Sequence, residues 1–341
     1  MKAIVKQEHA QGLSMMQMPM PVIGIHDVLI KVKKTSICGT DVHIYNWDAW
    51  AQKNVPVPLI IGHEFMGEIV ELGSHVENLS LGDRVSGEGH IVCNHCRHCL
   101  QGQKHLCDAV KGLGYHINGC FAEYVSLPAA NVFCLPDFVS DDFGAIFDPF
   151  GNAVHTALSY SLLAEDVLIT GAGPIGIMTA MIALKAGARS VVITDVNDYR
   201  LSLAKKIGAT IVNVSKESLQ EAQRHLEIEK GFTVGMEVSG NPLALNTLIE
   251  SMQHGGSVAL LGIQPPQTAI DWDQVIFKML TVKGIYGREI FATWFKMLHL
   301  LQAGLDLAPV ITHHFSADEY QRGFDAMRMQ QCGKVILDWE A

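Results

Sequence analysis

At 341 residues, 48% hydrophobic and 18% charged, with 31 glycines, the chain is long enough for two domains with large buried cores and has the composition of an α/β protein. Its formal charge of −10 argues against nucleic acid or an anionic membrane surface as a partner. No apolar run is long enough to span a bilayer, and Met1-Lys2-Ala3-Ile4-Val5-Lys6 lacks the apolar stretch of a secretory signal, so the expected location is cytoplasmic.

Residues 1–146 are rich in short alternating segments and turn residues, and 28–33 and 67–73 both read as strands of a β-rich lobe. Three segments stand out for chemistry: Ile37-Cys38-Gly39-Thr40-Asp41-Val42-His43, Gly62-His63-Glu64 and Asp148-Pro149-Phe150-Gly151-Asn152. Cys38 and His63 are ligand types for a catalytic zinc, and Glu64 is a type that ligates or orients. Taken singly, each has a plainer reading. An isolated Cys is more often a small buried hydrophobe and an isolated His a hydrogen-bonded surface residue. Thr40 reads equally as a helix cap, and His43 as a packed side chain.

Cys93, Cys96, Cys99 and Cys107 follow at the spacing C-x2-C-x2-C-x7-C, half of the chain's eight cysteines within 15 residues. A tetrahedral Zn²⁺ takes four thiolates from a short stretch of backbone in this way. Disulfides across Cys-x2-Cys are small strained rings, and nothing in the sequence points to an oxidising compartment. An iron–sulfur run would have a shorter last gap and usually Pro after the final Cys, where this chain has Asp108. Four thiolates leave no open coordination position, so this zinc would stabilise a lobe and do no chemistry.

From Asp166 the rhythm changes to strand–helix alternation. Candidate strands are 167–170, 190–194, 211–214, 233–238, 257–261 and 281–285, with helical patterns such as 174–186 and 198–207 between them. Six such strands are the count of a doubly wound parallel sheet. The first runs into Gly171-Ala172-Gly173-Pro174-Ile175-Gly176, which opens a helix. Gly171 suits the tight turn, Gly173 the approach of backbone to a pyrophosphate, and Gly176 the packing of helix on strand. Asp195 stands 19 residues after Gly176, where a carboxylate meets ribose hydroxyls; its plainer reading is a helix cap ahead of 198–207. Arg200 hints at NADP, but Asp195 would repel a 2′-phosphate, so NAD is expected. Gly262-Ile263-Gln264 and Tyr286-Gly287 fall at later strand ends, where the nicotinamide would lie. After these come a helical stretch at 290–303 and a strand-like 333–337, and the apolar 281–285 strand is a candidate for pairing across a dimer edge.

Cys-Gly-Thr-Asp at 38–41, Gly-His-Glu at 62–64, the four-cysteine loop and Gly-Ala-Gly-Pro-Ile-Gly at 171–176 occur in the order seen in zinc-dependent medium-chain alcohol dehydrogenases, which the chain resembles from end to end. Over 40–48, 87–90, 146–156 and 285–289 it is similar to the branch that oxidises L-threonine at its 3-hydroxyl. The resemblance implies a β-rich GroES-like catalytic domain from 1–147 and 296–341, and a Rossmann NAD-binding domain from 148–295. It implies catalytic zinc on Cys38, His63 and Glu64, structural zinc on Cys93, Cys96, Cys99 and Cys107, and a proton relay through Thr40 and His43 with Asp148 near the metal. It implies NAD contacts at Ile175, Asp195, Arg200, the 262–264 loop and Tyr286-Gly287, and a homotetramer. The implied reaction is hydride transfer from Cβ of L-threonine to NAD, giving 2-amino-3-oxobutanoate on the way to glycine. Glu88 and His90 are candidates for gripping the substrate's ammonium and carboxylate. A polyol or other secondary-alcohol dehydrogenase of the same superfamily is the near rival, and a non-catalytic NAD- or zinc-binding sensor the distant one.

Overall fold

The computed structural model describes residues 1–340, and its contacts divide the chain into two units: Met1–Pro149 with the chain from Ile311 onward, and Phe150–Val310. In the first unit a main sheet runs Val132–Cys134, Arg84–Gly87, Phe65–Leu72, Asp27–Ser36, Lys334–Asp338, Ile311–Ser316, with Tyr124–Pro128 also paired to Asp27–Ser36. Val28, Ile30 and Val32 of the long central strand are buried on one face, while Lys31 and Lys33 on the other face are exposed or half-buried and Leu29 there is buried as well. Val28, Ile30 and Val32 join Phe65, Phe121, Phe324, Val335 and Leu337 in one core. The pairing of Lys334–Asp338 with Asp27–Ser36 sets Ile336 opposite Ser36, and Ile37 N–H donates to the Val335 carbonyl at 3.0 Å. A segment near the C-terminus is thereby fixed beside Cys38.

The second unit is a six-stranded, wholly parallel sheet in the order Thr210–Asn213, Ser190–Asp195, Asp166–Thr170, Phe232–Glu237, Met252–Leu260, Thr281–Gly284. Helices connect the strands, and the central ones are apolar on both faces: Val167, Leu168, Ile169, Val192 and Ile193 are all buried, as a sheet covered on both sides requires. By chain order the strands run 3-2-1-4-5-6, so the sequence direction reverses between Asp166–Thr170 and Phe232–Glu237. That reversal is where a doubly wound sheet opens a crevice for a ligand.

The contact boundaries differ from the expected division at 147/148 and 295/296. The unit of the parallel sheet begins at Phe150 and continues to Val310. Trp294 and Met297 on helix Ala292–Gln302 are fully buried, Met297 lies against Gly151, and the turn Ala308–Val310 packs on helices Pro174–Lys185 and Asp198–Lys206. The buried Met297 against Gly151 keeps this helix with the second unit, and the chain leaves that unit only at Ile311.

Candidate active site and metal centres

Two groups of metal-ligand type lie in the first unit. In the four-cysteine loop, the ligand atoms of Cys93, Cys96, Cys99 and Cys107 all lie within 4.8 Å of one another, with Cys93 and Cys107 Sγ 3.6 Å apart. Sulfurs at the corners of a tetrahedron with metal–sulfur bonds of ~2.3 Å are ~3.8 Å apart. Backbone N–H groups donate to the sulfurs: Cys96 N to Cys93 Sγ at 3.3 Å, and Cys93 N and Ala109 N to Cys107 Sγ at 3.4 Å each. Backbone donation from Cys99 and Asp108 pulls the Cys96 thiol down, while burial and the neighbouring sulfurs push the Cys99 thiol up. Crowded thiols that resist joint ionisation are what a bound cation relieves, so the donor set fits zinc.

The second group is Cys38, His63 and Glu64, whose ligand atoms also lie within 4.8 Å of one another. Cys38 ends the turn after strand Asp27–Ser36 and precedes helix Gly39–Asn46, while His63 and Glu64 lead into the neighbouring strand Phe65–Leu72. Thr35 faces Phe65 in the ladder and Ser36 N–H donates to the Glu64 carbonyl at 3.1 Å, so adjacent strand ends bring the three side chains together. Gly62 makes this approach with φ of +89°, and a Cβ there would stand 2.0 Å from the Phe121 ring.

His63 Nδ1 and Glu64 Oε1 are buried without a hydrogen-bond partner. Such orphans are costly unless something else binds there. Asp41 is fully buried beside them; its Oδ2 accepts from Cys38 N–H at 2.8 Å, and its unpartnered Oδ1 is 3.9 Å from His63 Nδ1. Burial raises the Asp41 carboxyl to about 6 despite His63. Burial disfavours His63 charge, but Cys38, Asp41 and Asp148 outweigh it and hold the imidazole well above its ordinary value. The site is a sink for positive charge. One sulfur, one imidazole and one carboxylate fit a zinc that keeps a fourth position open.

Thr40 and His43 lie three apart on helix Gly39–Asn46 and so share a face. Thr40 Oγ1 is 3.8 Å from Cys38 Sγ. His43 is exposed rather than packed, and its Nδ1 meets Asp48 Oδ2 at 2.5 Å. Cys38 occupies the cap position of this helix, which removes the capping reading for Thr40. Asp148 is buried, and Gly89 sits beside it: a Cβ on Gly89 would be 3.5 Å from His63 Cβ and 3.8 Å from Asp148 Oδ2. Glu88 is fully buried, and its Oε1 lies 3.0 Å from both the backbone N and Nδ1 of His90. Its carboxylate is engaged in orienting His90.

Three residues that were given no role from the sequence support these groups. Asp41 stands behind His63, as carboxylates commonly do behind metal-binding imidazoles. Asp48 accepts from Trp50 N–H and Ala51 N–H at 3.0 Å each, capping helix Ala49–Asn54 while it holds His43. Lys334 reaches in from the last strand; its Nζ donates to the Ile37 carbonyl at 2.8 Å and to Glu64 Oε2 at 2.5 Å, with both side chains buried. Asp41 and Asp48 sit inside helix-cap patterns and carry only that weak signal. Lys334 carries none.

In the second unit the expected cofactor residues gather at the carboxyl ends of the parallel strands. Gly171 has φ of +102°. A Cβ on Gly173 would meet nothing within 4 Å, leaving its backbone open to a ligand, whereas one on Gly176 would stand 1.9 Å from the Gly171 carbonyl oxygen. The Gly173 opening at the N-terminus of helix Pro174–Lys185 fits a pyrophosphate. Asp195 ends its strand with the carboxylate fixed by Ala172 N–H at 2.7 Å, Val196 N–H at 2.7 Å and Asn197 N–H at 2.9 Å. Helix Asp198–Lys206 is capped by Asn197, not Asp195. Arg200 Nε is buried without a partner.

Ile175 is partly buried, Ile263 is 89% exposed and Tyr286 is 56% exposed. Gly287's carbonyl lies 3.0 Å from His155 Nδ1. Buried Glu237, which the sequence reading missed, organises this end: it accepts from Ser239 N–H at 2.8 Å, Gly240 N–H at 3.0 Å and Gln264 Nε2 at 2.9 Å. A Cβ on Gly262 would stand 2.2 Å from Glu237 Oε2.

Residues 24–137 match the alcohol dehydrogenase GroES-like domain and residues 174–303 the zinc-binding dehydrogenase domain. The chain is 64% identical to an L-threonine 3-dehydrogenase of Protochlamydia amoebophila, covering 99% of this chain and 100% of that one. It is 58% identical to an L-threonine 3-dehydrogenase of Cronobacter sakazakii over the full length of both. Among solved structures, 2R,3R-butanediol dehydrogenase of Bacillus subtilis is 30% identical with a TM-score of 0.88, covering 99% of each chain. An Escherichia coli CFT073 alcohol dehydrogenase solved with NADH is 27% identical with a TM-score of 0.90, again covering 99% of each chain.

Proposed function

The chain belongs to the zinc-containing medium-chain alcohol dehydrogenases, in their L-threonine 3-dehydrogenase branch, and from that premise we propose how its residues divide the work. It is a zinc- and NAD-dependent oxidoreductase that oxidises L-threonine at the 3-hydroxyl to 2-amino-3-oxobutanoate. The observation that carries the chemistry is the group of half-buried Cys38 with buried His63 and Glu64, whose unpartnered His63 Nδ1 and Glu64 Oε1 lie in a cluster with Thr40 beside it.

Zinc when bound supplies Lewis acidity that lowers the pKa of the substrate hydroxyl, and NAD when bound accepts the hydride from Cβ. Cys38, His63 and Glu64 are its ligands in this reading, and the four-cysteine loop holds a second, structural zinc. Thr40 Oγ1 accepts the proton of the substrate hydroxyl as its own proton moves on to His43 Nε2, which releases it to solvent, for which its exposure suits it. Asp48 orients the His43 ring through Nδ1. Asp41 and Asp148 surround His63 with negative charge and keep the ligand set attractive to a cation.

NAD is held by the backbone around Gly171, Gly173, Ile175 and Gly176, by Asp195 and Arg200, and by Gly262, Ile263, Gln264, Tyr286 and Gly287. The carboxylate of Asp195, pinned by three N–H groups, favours ribose hydroxyls over a 2′-phosphate. No helix among the described residues is long and apolar enough to cross a membrane. We place the enzyme in the cytoplasm, where its metal-binding thiols stay reduced. We assign it a homotetramer: strand Thr281–Gly284 is exposed along its length at the sheet edge, beside exposed Trp272, Ile276, Phe277 and Met279.

NADH absorbance measured with L-threonine, sorbitol and 2,3-butanediol, with and without chelator, tests this reading. Preference for L-threonine, lost on metal removal, is the expected result. Preference for sorbitol would overturn the substrate assignment.

A further inference from the structure

An arc of rings joins the two ends of the reaction machinery. The Tyr115 ring lies 6.3 Å from the His63 ring, edge-on at 82°, and 6.1 Å from Trp50; Trp50 in turn lies 6.2 Å from His43. One end of the arc is at the metal-ligand group and the other at the exposed imidazole of the relay.

Both intermediate rings are built into place. Tyr115 rests on the backbone of Gly112, where a Cβ would stand 1.7 Å from its Cζ, so only glycine admits the ring there. The turn is closed by His116 N–H donating to the Gly112 carbonyl at 2.9 Å, and by Gly112 N–H donating to His116 Nδ1 at 3.0 Å. Leu113 N–H donates to the Gly89 carbonyl at 2.9 Å, and Gly89 packs against His63 and Asp148. Trp50 sits on helix Ala49–Asn54, whose cap Asp48 also holds His43. Both rings are only partly buried.

We propose that Tyr115 and Trp50 form the aromatic wall that receives the ammonium group of the substrate. A ring face attracts an ammonium through its quadrupole. Asp41 and Asp148, both buried near His63, add negative charge to the same region. The inference rests on the reading of L-threonine as substrate, and it assigns a specificity role to residues outside the ligand set and the relay.

The test compares Tyr115→Val and Tyr115→Phe with wild type, using L-threonine as substrate and 2,3-butanediol, which has no ammonium, as competing alcohol. Tyr115→Val raises KM for L-threonine about three- to fivefold with kcat little changed. The inhibition constant of 2,3-butanediol stays put. Tyr115→Phe, which keeps the ring face, behaves as wild type. An unchanged KM in Tyr115→Val, or equal weakening of both ligands, would overturn the wall. If Tyr115→Val does not fold, Trp50→Leu removes the other ring and is read the same way. Wild type inactive on L-threonine strikes the functional reading itself, whereas active wild type with an insensitive Tyr115→Val strikes only the wall.

Discussion

The two metal-ligand groups of the first unit are built on opposite plans. The four-cysteine loop takes four identical ligands from 15 consecutive residues, and its sulfurs are supported by backbone N–H groups of the same loop. The Cys38 group takes three different ligands from two strand ends, and its support comes from side chains as distant as Lys334. A closed set of like ligands asks for a short flexible backbone. An open set must be held apart from its own charges, which takes a folded sheet. In the proposed division of labour, the first arrangement contributes stability and the second reactivity.

Cutting each group separately is the sharpest way to break this contrast. Cys38→Ser should reduce turnover on L-threonine below detection while the melting temperature and NAD affinity stay near wild type. Normal activity would end the assignment of the open group. With the metal removed, Lys334→Met leaves the Glu64 carboxylate buried without a cation, which should cost about 3–5 kcal/mol in urea unfolding of the apoprotein. The double variant Glu64→Gln/Lys334→Met should recover much of that loss, because both charges leave together. A single variant as stable as wild type would show that the pair does not hold the strand end.

Cys96→Ser should release one of two zincs per chain, measured by metal analysis, and lower the melting temperature by roughly 5 °C, equivalent to about 2 kcal/mol. Unchanged melting and metal content would remove the structural role of the loop. The smallest effect concerns acid. Burial would raise the Asp142 carboxyl, but His314 and Lys34, at 2.8 and 3.1 Å, hold it below the usual 3.8. Its ionised form is favoured in the folded state, so this contribution is complete above pH 3.8 and is lost as pH falls through the lowered pKa. Asp142→Asn should flatten that part of the acid-unfolding curve, an effect of about 0.5 kcal/mol.

The inner parallel strands were legible in the sequence because they are short apolar runs bounded by glycine or polar turns and covered on both faces, whereas Thr281–Gly284 at the edge is exposed. The expected boundary at 295/296 differs from the contact boundary at Val310/Ile311, because the pattern of helix Ala292–Gln302 does not say which unit it joins; Met297 lies against Gly151 of the second unit. The sequence offered Asp195 as a helix cap alongside a cofactor residue, and the backbone chose Asn197 for the cap. Glu88 and His90 stood out as a pair, but their mutual contact could not be read from adjacency.

The sequence by itself determined the features that one stretch of backbone can complete: the four-cysteine loop, the glycine-rich turn with its following helix, and the order of segments that marks the family. These depend on spacing and local conformation, and spacing is written in the chain. Only the tertiary structure decided which distant groups meet. Asp41 stands behind His63, Lys334 crosses 270 positions to Glu64, Glu237 meets Gln264, and Tyr115 comes to lie beside His63. Such pairings follow from strand register and burial, and a buried charge finds its partner only when the sheet that carries both has formed.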